Sequence, residues 1–321
     1  MSSLFRTLVG KVPRLILTLI CVTFLSFFMM NLLPGDPVSN FNVGANPEKL
    51  EQIRADLKLD QPLVVRYGSW LSNFATFDFG KNYGLASDPT ENVKRSLPIS
   101  IELMLYTQLF ALAIAIPIGM LSAYKANGLF DRISSFIGFL ALSIPAFVIA
   151  YLLKRTFTVD NDWLNDPWTK WLPWDQGEGS LLAHVKGAIL PVVSLGVGQI
   201  AIYQRLLRTD MISTLQEDFI TMARAKGMKP SRILFKHALR PSSLTLLTVV
   251  GINVGTLIGG AIVIENIFQI PGMGLNLISA YLAREYVAFQ SYVAVIAVLY
   301  VVVNFLVDFT YSVLDPRIRD V

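Results

Sequence analysis

With 321 residues, 53% of them hydrophobic and 16% charged, the chain has too little polar surface to dissolve as a globule; soluble domains carry about 25% charged residues. The formal net charge of +4 is small, and no nucleic-acid partner is expected. One cysteine, Cys21, excludes an internal disulfide, and His184 and His237 stand far apart with no metal-ligand spacing, so neither a bound metal nor metal catalysis is expected.

An all-α polytopic membrane protein is therefore the expected class. A helix crosses the hydrocarbon core with about 20 apolar residues. Six segments meet or approach that length: 15–33, 103–124, 133–153, 188–204, 242–264 and 286–307. The first follows Arg6, Lys11 and Arg14 in the manner of a signal peptide. It is long for that role and ends in Asn31-Leu-Leu-Pro-Gly-Asp-Pro37 without a small-residue cleavage site, so an uncleaved anchor is expected. The second helix is expected to start near Pro98. The organisation expected is 1–33, cytoplasmic N-terminus and first span; 34–97, an extracytoplasmic region; and 98–321, a five-span core with a loop at 205–241.

Between the first two spans, 47–59 reads as a helix with Leu50, Ile53 and Leu57 on one face. Asp78-Phe-Gly80 and Asn82-Tyr-Gly84 read as turns. This region is expected either to cap the pore for a delivery protein or to pack on it as a lid. Segment 154–187 holds Trp163, Trp168, Trp171 and Trp174, residues that favour the membrane interface. Lysines and arginines fix the orientation. With the N-terminus inside, the inner pieces are net +8 and the outer pieces net −3, and the 205–241 loop alone holds eight basic residues. Both termini are then cytoplasmic.

Within that loop, 209–226 has helical periodicity through Met211, Leu215, Phe219, Met222 and Ala223, and Gly227 is a fitting stop. A second helix is expected from Ser231 to Leu239, ending before Pro241. The small residues Ala223, Ala225 and Gly227 would let a partner approach, and Arg224 and Lys226 would supply polar contacts; a basic segment lying on anionic lipid is the alternative. On the fifth span Gly251, Gly255 and Gly259 share one face, as in close helix packing. Asn253 sits on another face, as a pore-lining group or an interhelical hydrogen bond. Asn304 and Asp308, four apart near the inner end of the last span, invite a proton-relay reading, against which Asp308 falls near the boundary where water is available. After that span, Glu265-Asn-Ile-Phe-Gln-Ile-Pro-Gly-Met-Gly274 is expected to be a re-entrant or gate segment. Pro271, Gly272 and Gly274 break the helix; Glu265, with Phe268, is expected at the membrane edge as a candidate for solute contact, with capping or pairing to a local donor as the alternative role of Glu265.

Asp218-Phe-Ile-Thr-Met-Ala-Arg-Ala-Lys-Gly227, followed by His237-Ala-Leu-Arg-Pro241, resembles the coupling motif of ABC-importer permeases, in which Glu-Ala-Ala is followed after three residues by Gly. Here Thr221, Met222, Ala223 and Gly227 occupy those positions, so the Glu and the first Ala are replaced. The form is similar to that of the dipeptide/oligopeptide (peptide/nickel) branch. Leu33-Pro-Gly-Asp-Pro37, Leu59-Asp-Gln-Pro62, Ile189-Leu-Pro191, Ile267-Phe-Gln-Ile-Pro-Gly-Met-Gly274 and Leu314-Asp-Pro-Arg-Ile318 agree with it. The resemblance implies a six-helix, type I importer permease in a prokaryotic inner membrane. It implies a second homologous permease, two ATP-binding subunits holding ATP and Mg2+, and an external solute-binding protein. Asp218, Phe219, Ala223, Arg224, Ala225, Lys226 and Gly227 would then dock the ATPase. Peptides are the expected cargo, with nickel complexes, haem or another solute as alternatives within the family. The chain has no GxxxxGK[ST] loop, so it is not expected to be the ATP-hydrolysing subunit. An ion- or proton-coupled secondary transporter is the competing class. It would need deep charged residues and often two related halves.

Overall fold

The structure, a computed structural model, describes residues 3–32, 47–83, 88–159 and 181–314. The tryptophans at 163, 168, 171 and 174, the whole Leu33–Pro37 motif, Gly84 and the 315–318 part of the last motif lie outside the described residues. Among the described residues all regular structure is helical: α1 (Ser3–Leu32), α2 (Pro47–Asp56), α3 (Leu63–Ala75), α4 (Pro89–Tyr124), α5 (Leu129–Ser143), α6 (Ala146–Lys154), α7 (Leu181–Leu215), α8 (Asp218–Ala225), α9 (Pro230–Arg232), α10 (Leu239–Phe268), α11 (Met273–Leu282) and α12 (Tyr286–Leu314). Two π-helical turns, Arg155–Val159 and Ile233–Ala238, follow α6 and α9.

All six expected spans fall on helices, but not with the expected ends. α4 starts nine residues before Pro98, because Asp88 caps it: its Oδ1 accepts the Thr90 N–H at 2.8 Å. Asp88-Pro-Thr-Glu91 carries the cap, the proline of the first helical position and the acid of the first turn. At 36 residues α4 is about 54 Å long, well beyond the hydrocarbon thickness. The third span is not one straight helix. α5 and the helix that follows it meet at 91°, because Ile144, extended before Pro145, cannot stay helical. The fourth is not short: α7 runs for 35 residues.

By contacts the chain forms two units. The first comprises residues 1–100, 271–305 and 315–321, the second 101–270 and 306–314. This grouping cuts across the chain-order division expected from the spans, since α11 and most of α12 join the N-terminal third.

In the first unit, α1, α3 and α12 share polar contacts. The Thr23 and Tyr67 hydroxyls are 2.9 Å apart, Gln290 Nε2 donates to the Thr23 carbonyl at 2.6 Å, and Trp70 Nε1 donates to Ser291 Oγ at 3.2 Å. Along the same joint Phe24 and Phe27 meet Tyr67 edge-on, Phe27 meets Trp70 tilted, and Trp70 stacks on Tyr67 and Phe74. α3 is thus packed against α1 and α12, an arrangement that suits a lid and a cap for a delivery protein alike. Tyr83 donates its N–H to Glu285 Oε1 (2.8 Å). Burial, and then the nearby Asp56 carboxylate, push its phenol up to about 12.

In the second unit, Asp131 at the start of α5 is buried and held by Arg208 of α7. Arg208 Nη2 donates to Asp131 Oδ2 at 2.7 Å, Arg208 Nε donates to Oδ1, and the Asn127 N–H adds a third bond at 2.8 Å. Glu102, an acid at the head of the second expected span, accepts the Tyr106 hydroxyl and lies 2.9 Å from His184 Nε2.

Of the three glycines expected to form a packing face, Gly251 has the close neighbour: a Cβ there would fall 2.0 Å from Val307 Cγ1. At Gly259 a Cβ would meet nothing within 4 Å, and Gly255 is half-buried. Gly251→Ala is therefore expected to cost about 1–3 kcal/mol through overpacking, and Gly259→Ala to leave the folded chain unchanged. Thermal unfolding of the purified chain distinguishes them; equal melting temperatures would remove the close α10–α12 contact.

Candidate functional site: the Asp218–Gly227 segment

α7 ends at Leu215, so the helix expected at 209–226 is in fact two. Gln216 and Glu217 turn the chain, and Glu217 accepts the Ile220 and Thr221 N–H groups at its carbonyl (3.0 and 3.3 Å). α8 then runs for two turns. It closes in a Schellman motif: Met228 N–H reaches the Ala223 carbonyl (3.3 Å), Gly227 N–H reaches that of Arg224 (2.9 Å), and Gly227 takes the left-handed conformation with φ +71°. Only glycine enters that region without steric cost.

Ile220 and Ala223 are buried on the inner face of α8. They join a core with Met120 and Ala123 of α4, Leu207 and Met211 of α7, and Leu246 of α10. Ala223 is therefore an internal packing residue. The expectation that it lets a partner come close fails, because it points into the second unit. The outer face carries Asp218, Phe219, Thr221, Met222, Arg224, Ala225 and Lys226, all exposed. Met222 is 59% exposed and Phe235 66%, both in a loop rich in charge. Phe235 was missed in sequence because it lies between the two parts of the motif.

The second expected helix does not stop at Pro241. Pro230 opens a helix at its first position, which passes through the π turn at Ile233–Ala238 and on into α10. A proline ring clashes with the carbonyl four residues back. Here that residue is His237, inside the widened turn. The Thr214 and Ser242 hydroxyls, 2.9 Å apart, tie the end of α7 to α10. α8 is thus seated on the ends of three long helices.

The residues expected along a solute path do not come together as one site. α10 ends at Phe268, with Gln269 rather than a glycine in the left-handed conformation. Glu265 is 1% exposed inside the second unit. It was expected at the membrane edge, facing solute, but the helix turns it inward. Phe268 is buried in the same unit. Pro271, Gly272 and Gly274 belong to the first unit. There Gly272 precedes α11 and Gly274 is buried within it, while Met273 N–H donates to Ser100 Oγ (2.8 Å) and Asn276 Nδ2 to Ser96 Oγ (2.6 Å). The expected gate segment is accordingly a helix end, a break and a second anchored helix. Asn253 is half-buried; its Nδ2 makes no close hydrogen bond but interacts with the Tyr203 hydroxyl. Gln199 Oε1 on α7 has no close donor. Gln199 Nε2 donates to Thr256 Oγ1 at 3.4 Å, and Gln108 with Tyr203 forms a further polar pair at 3.0 Å. These amides on α4 and α7 were overlooked because single glutamines inside apolar runs carry no motif. Asn304 donates Nδ2 to the Tyr300 carbonyl (3.0 Å); the Asp308 side chain lies outside the described residues.

Residues 115–320 match the family described as binding-protein-dependent transport system inner membrane component, and residues 4–91 match its N-terminal part. The chain belongs to that family. It is 33% identical over 315 residues to the dipeptide transport system permease protein DppB of Bacillus subtilis, covering 98% of each chain. A Brucella abortus protein that bears the name of a peptide transport system permease is 36% identical over 310 residues, covering 96% of this chain and 97% of its own. Among solved structures, an inward-facing MetNI methionine ABC transporter chain superposes with TM-score 0.56. That match covers 71% of this chain and 99% of the other at 17% identity, a likeness of fold. The resemblance to ABC-importer permeases read from the sequence is thereby established, and a secondary transporter is not favoured. As a member of the binding-protein-dependent permeases, the chain is a multi-pass inner-membrane component of an ABC importer.

Proposed function

We propose that this permease carries peptides, pairs with a second homologous permease, and is driven by two ATP-binding subunits. ATP and Mg2+ are held in those subunits, and an extracytoplasmic binding protein delivers the cargo. The names of the relatives from Bacillus subtilis and Brucella abortus support the peptide class. One observation carries the coupling role: α8 buries Ile220 and Ala223 among the ends of α4, α7 and α10 while exposing Phe219, Met222 and Lys226. A push on the outer face reaches three long helices through packed side chains, which transmit displacement because interiors are close-packed.

In this reading Asp218, Phe219, Arg224, Ala225, Lys226 and Gly227 meet the ATPase, with Met222 and Phe235 added. Both termini lie in the cytoplasm, with α5 and α6 together making one crossing. Gln199 Oε1 and Asn253 Nδ2 offer amide groups without close partners to the polar backbone of a peptide.

The test is purification from the native membrane in mild detergent, with identification of what accompanies the chain. A second permease and two ATPases are expected, and the associated binding protein is then screened with di- and oligopeptides. A homo-oligomer without any ATPase would overturn the coupling role. A binding protein that ignores peptides would overturn the cargo alone.

A further inference from the structure

The first unit contains a cavity of about 130 Å3 that the transport reading does not use. Its walls include Phe27 of α1, Asp56 and Lys58 after α2, Arg66 and Trp70 of α3, and Gln290 of α12. Arg66 is the unusual group. Its Nε is buried without a hydrogen-bond partner, and its guanidinium carbon lies 5.8 Å from the centre of the Phe27 ring. Such a cation–π contact returns only part of what a buried cation loses with its water. The cost is visible in the Arg66 pKa, which burial lowers. Lys58 reaches the same space from a left-handed turn (φ +51°), with Nζ 3.1 Å from Ser69 Oγ. The facing acid, Asp56, accepts the Tyr83 hydroxyl at 3.4 Å. Two cations against one carboxylate leave a single positive charge to be matched.

The place of the cavity says what kind of anion fits. The apolar run of α1 continues past Phe27 to Leu33, and α12 begins at Tyr286, one turn before Gln290. Both spans reach the cavity within about two turns of their ends, towards the interface where tryptophans such as Trp70 are favoured. Leu25, Phe28 and Met29 of α1 and Val64 and Val65 of α3 are exposed apolar neighbours. An occupant needs one negative charge and an apolar body.

We propose that this cavity binds the phosphodiester of a membrane phospholipid, with Arg66 as the principal donor, Lys58 beside it, and the acyl chains along the exposed face of α1. A phosphodiester carries one negative charge and accepts the forked donors of arginine.

The full chain, purified in detergent and supplied with phosphatidylglycerol, is examined by native mass spectrometry. The wild-type chain is expected to keep one phospholipid under activation that strips the rest. Arg66→Gln is expected to weaken that retention about tenfold or more, the value of a charge-assisted hydrogen bond in an enclosed site. Ser69→Phe, which fills the cavity and leaves Arg66 in place, is expected to weaken it as well. Equal retention by Arg66→Gln would overturn the proposal. If that variant does not fold, retention by Ser69→Phe would overturn it instead. Displacement of the lipid by inorganic phosphate would assign the cavity to a free oxyanion and overturn the headgroup assignment.

Discussion

Gly227→Asn is expected to leave the permease folded and in the membrane while uptake per ATP hydrolysed falls about tenfold. Two effects are separable at this position. The left-handed backbone costs an ordinary residue about 1–2 kcal/mol, and asparagine adopts it more readily than most. A Cβ at Gly227 would meet no atom of its own chain within 4 Å. Added bulk is therefore felt only by whatever docks there, and a misfit of about 1.4 kcal/mol is a factor of ten. Gly227→Val should show both effects: lowered stability of the loop and lost coupling. The measurement is uptake and ATP hydrolysis of the reconstituted importer, side by side. Normal uptake by Gly227→Asn would sink the docking assignment.

Asp131→Ala is expected to be the most destabilising single change in the second unit, by about 3 kcal/mol or more. Removing the carboxylate leaves Arg208 with its two donors unpaired, and removes the acceptor of the Asn127 N–H that shapes the turn into α5. Arg208→Lys is not expected to substitute, since an ammonium cannot make the forked contact. Replacing both members, as in Asp131→Leu with Arg208→Met, should recover part of the loss, because neither charge is then left without a partner. Thermal unfolding of the purified permease in detergent gives the comparison. Single variants that melt with the wild type would show that the pair contributes nothing to stability.

Much of the candidate site was legible because its signals are local. The Asp218–Gly227 run carries its own helix period and its own glycine stop, and both stand in the structure. The cap at Asp88 was equally local, but the polar turn from Thr90 to Arg95 hid it from a reading based on hydropathy. Ala223 shows the limit of that approach. Its size suits a partner's approach and an internal contact equally well, and only the packing against α4 and α7 separates them. The three glycines of α10 share one face by spacing, yet what they meet depends on the helix opposite. Val307 stands against Gly251, and nothing stands within reach of Gly259. Glu265 was placed by its distance from the end of an apolar run, while its burial depends on which way the helix turns.

The sequence by itself determined the membrane class, the positions of the apolar spans and the family, because length, hydropathy and short motifs are properties of neighbouring residues. Tertiary structure decided the right-angled break at Pro145, the continuity through Pro241, the Asp131–Arg208 pair and the cavity beside Arg66. Each of these depends on groups far apart in the chain or on how much distortion the packed surroundings accept, and no local pattern specifies either.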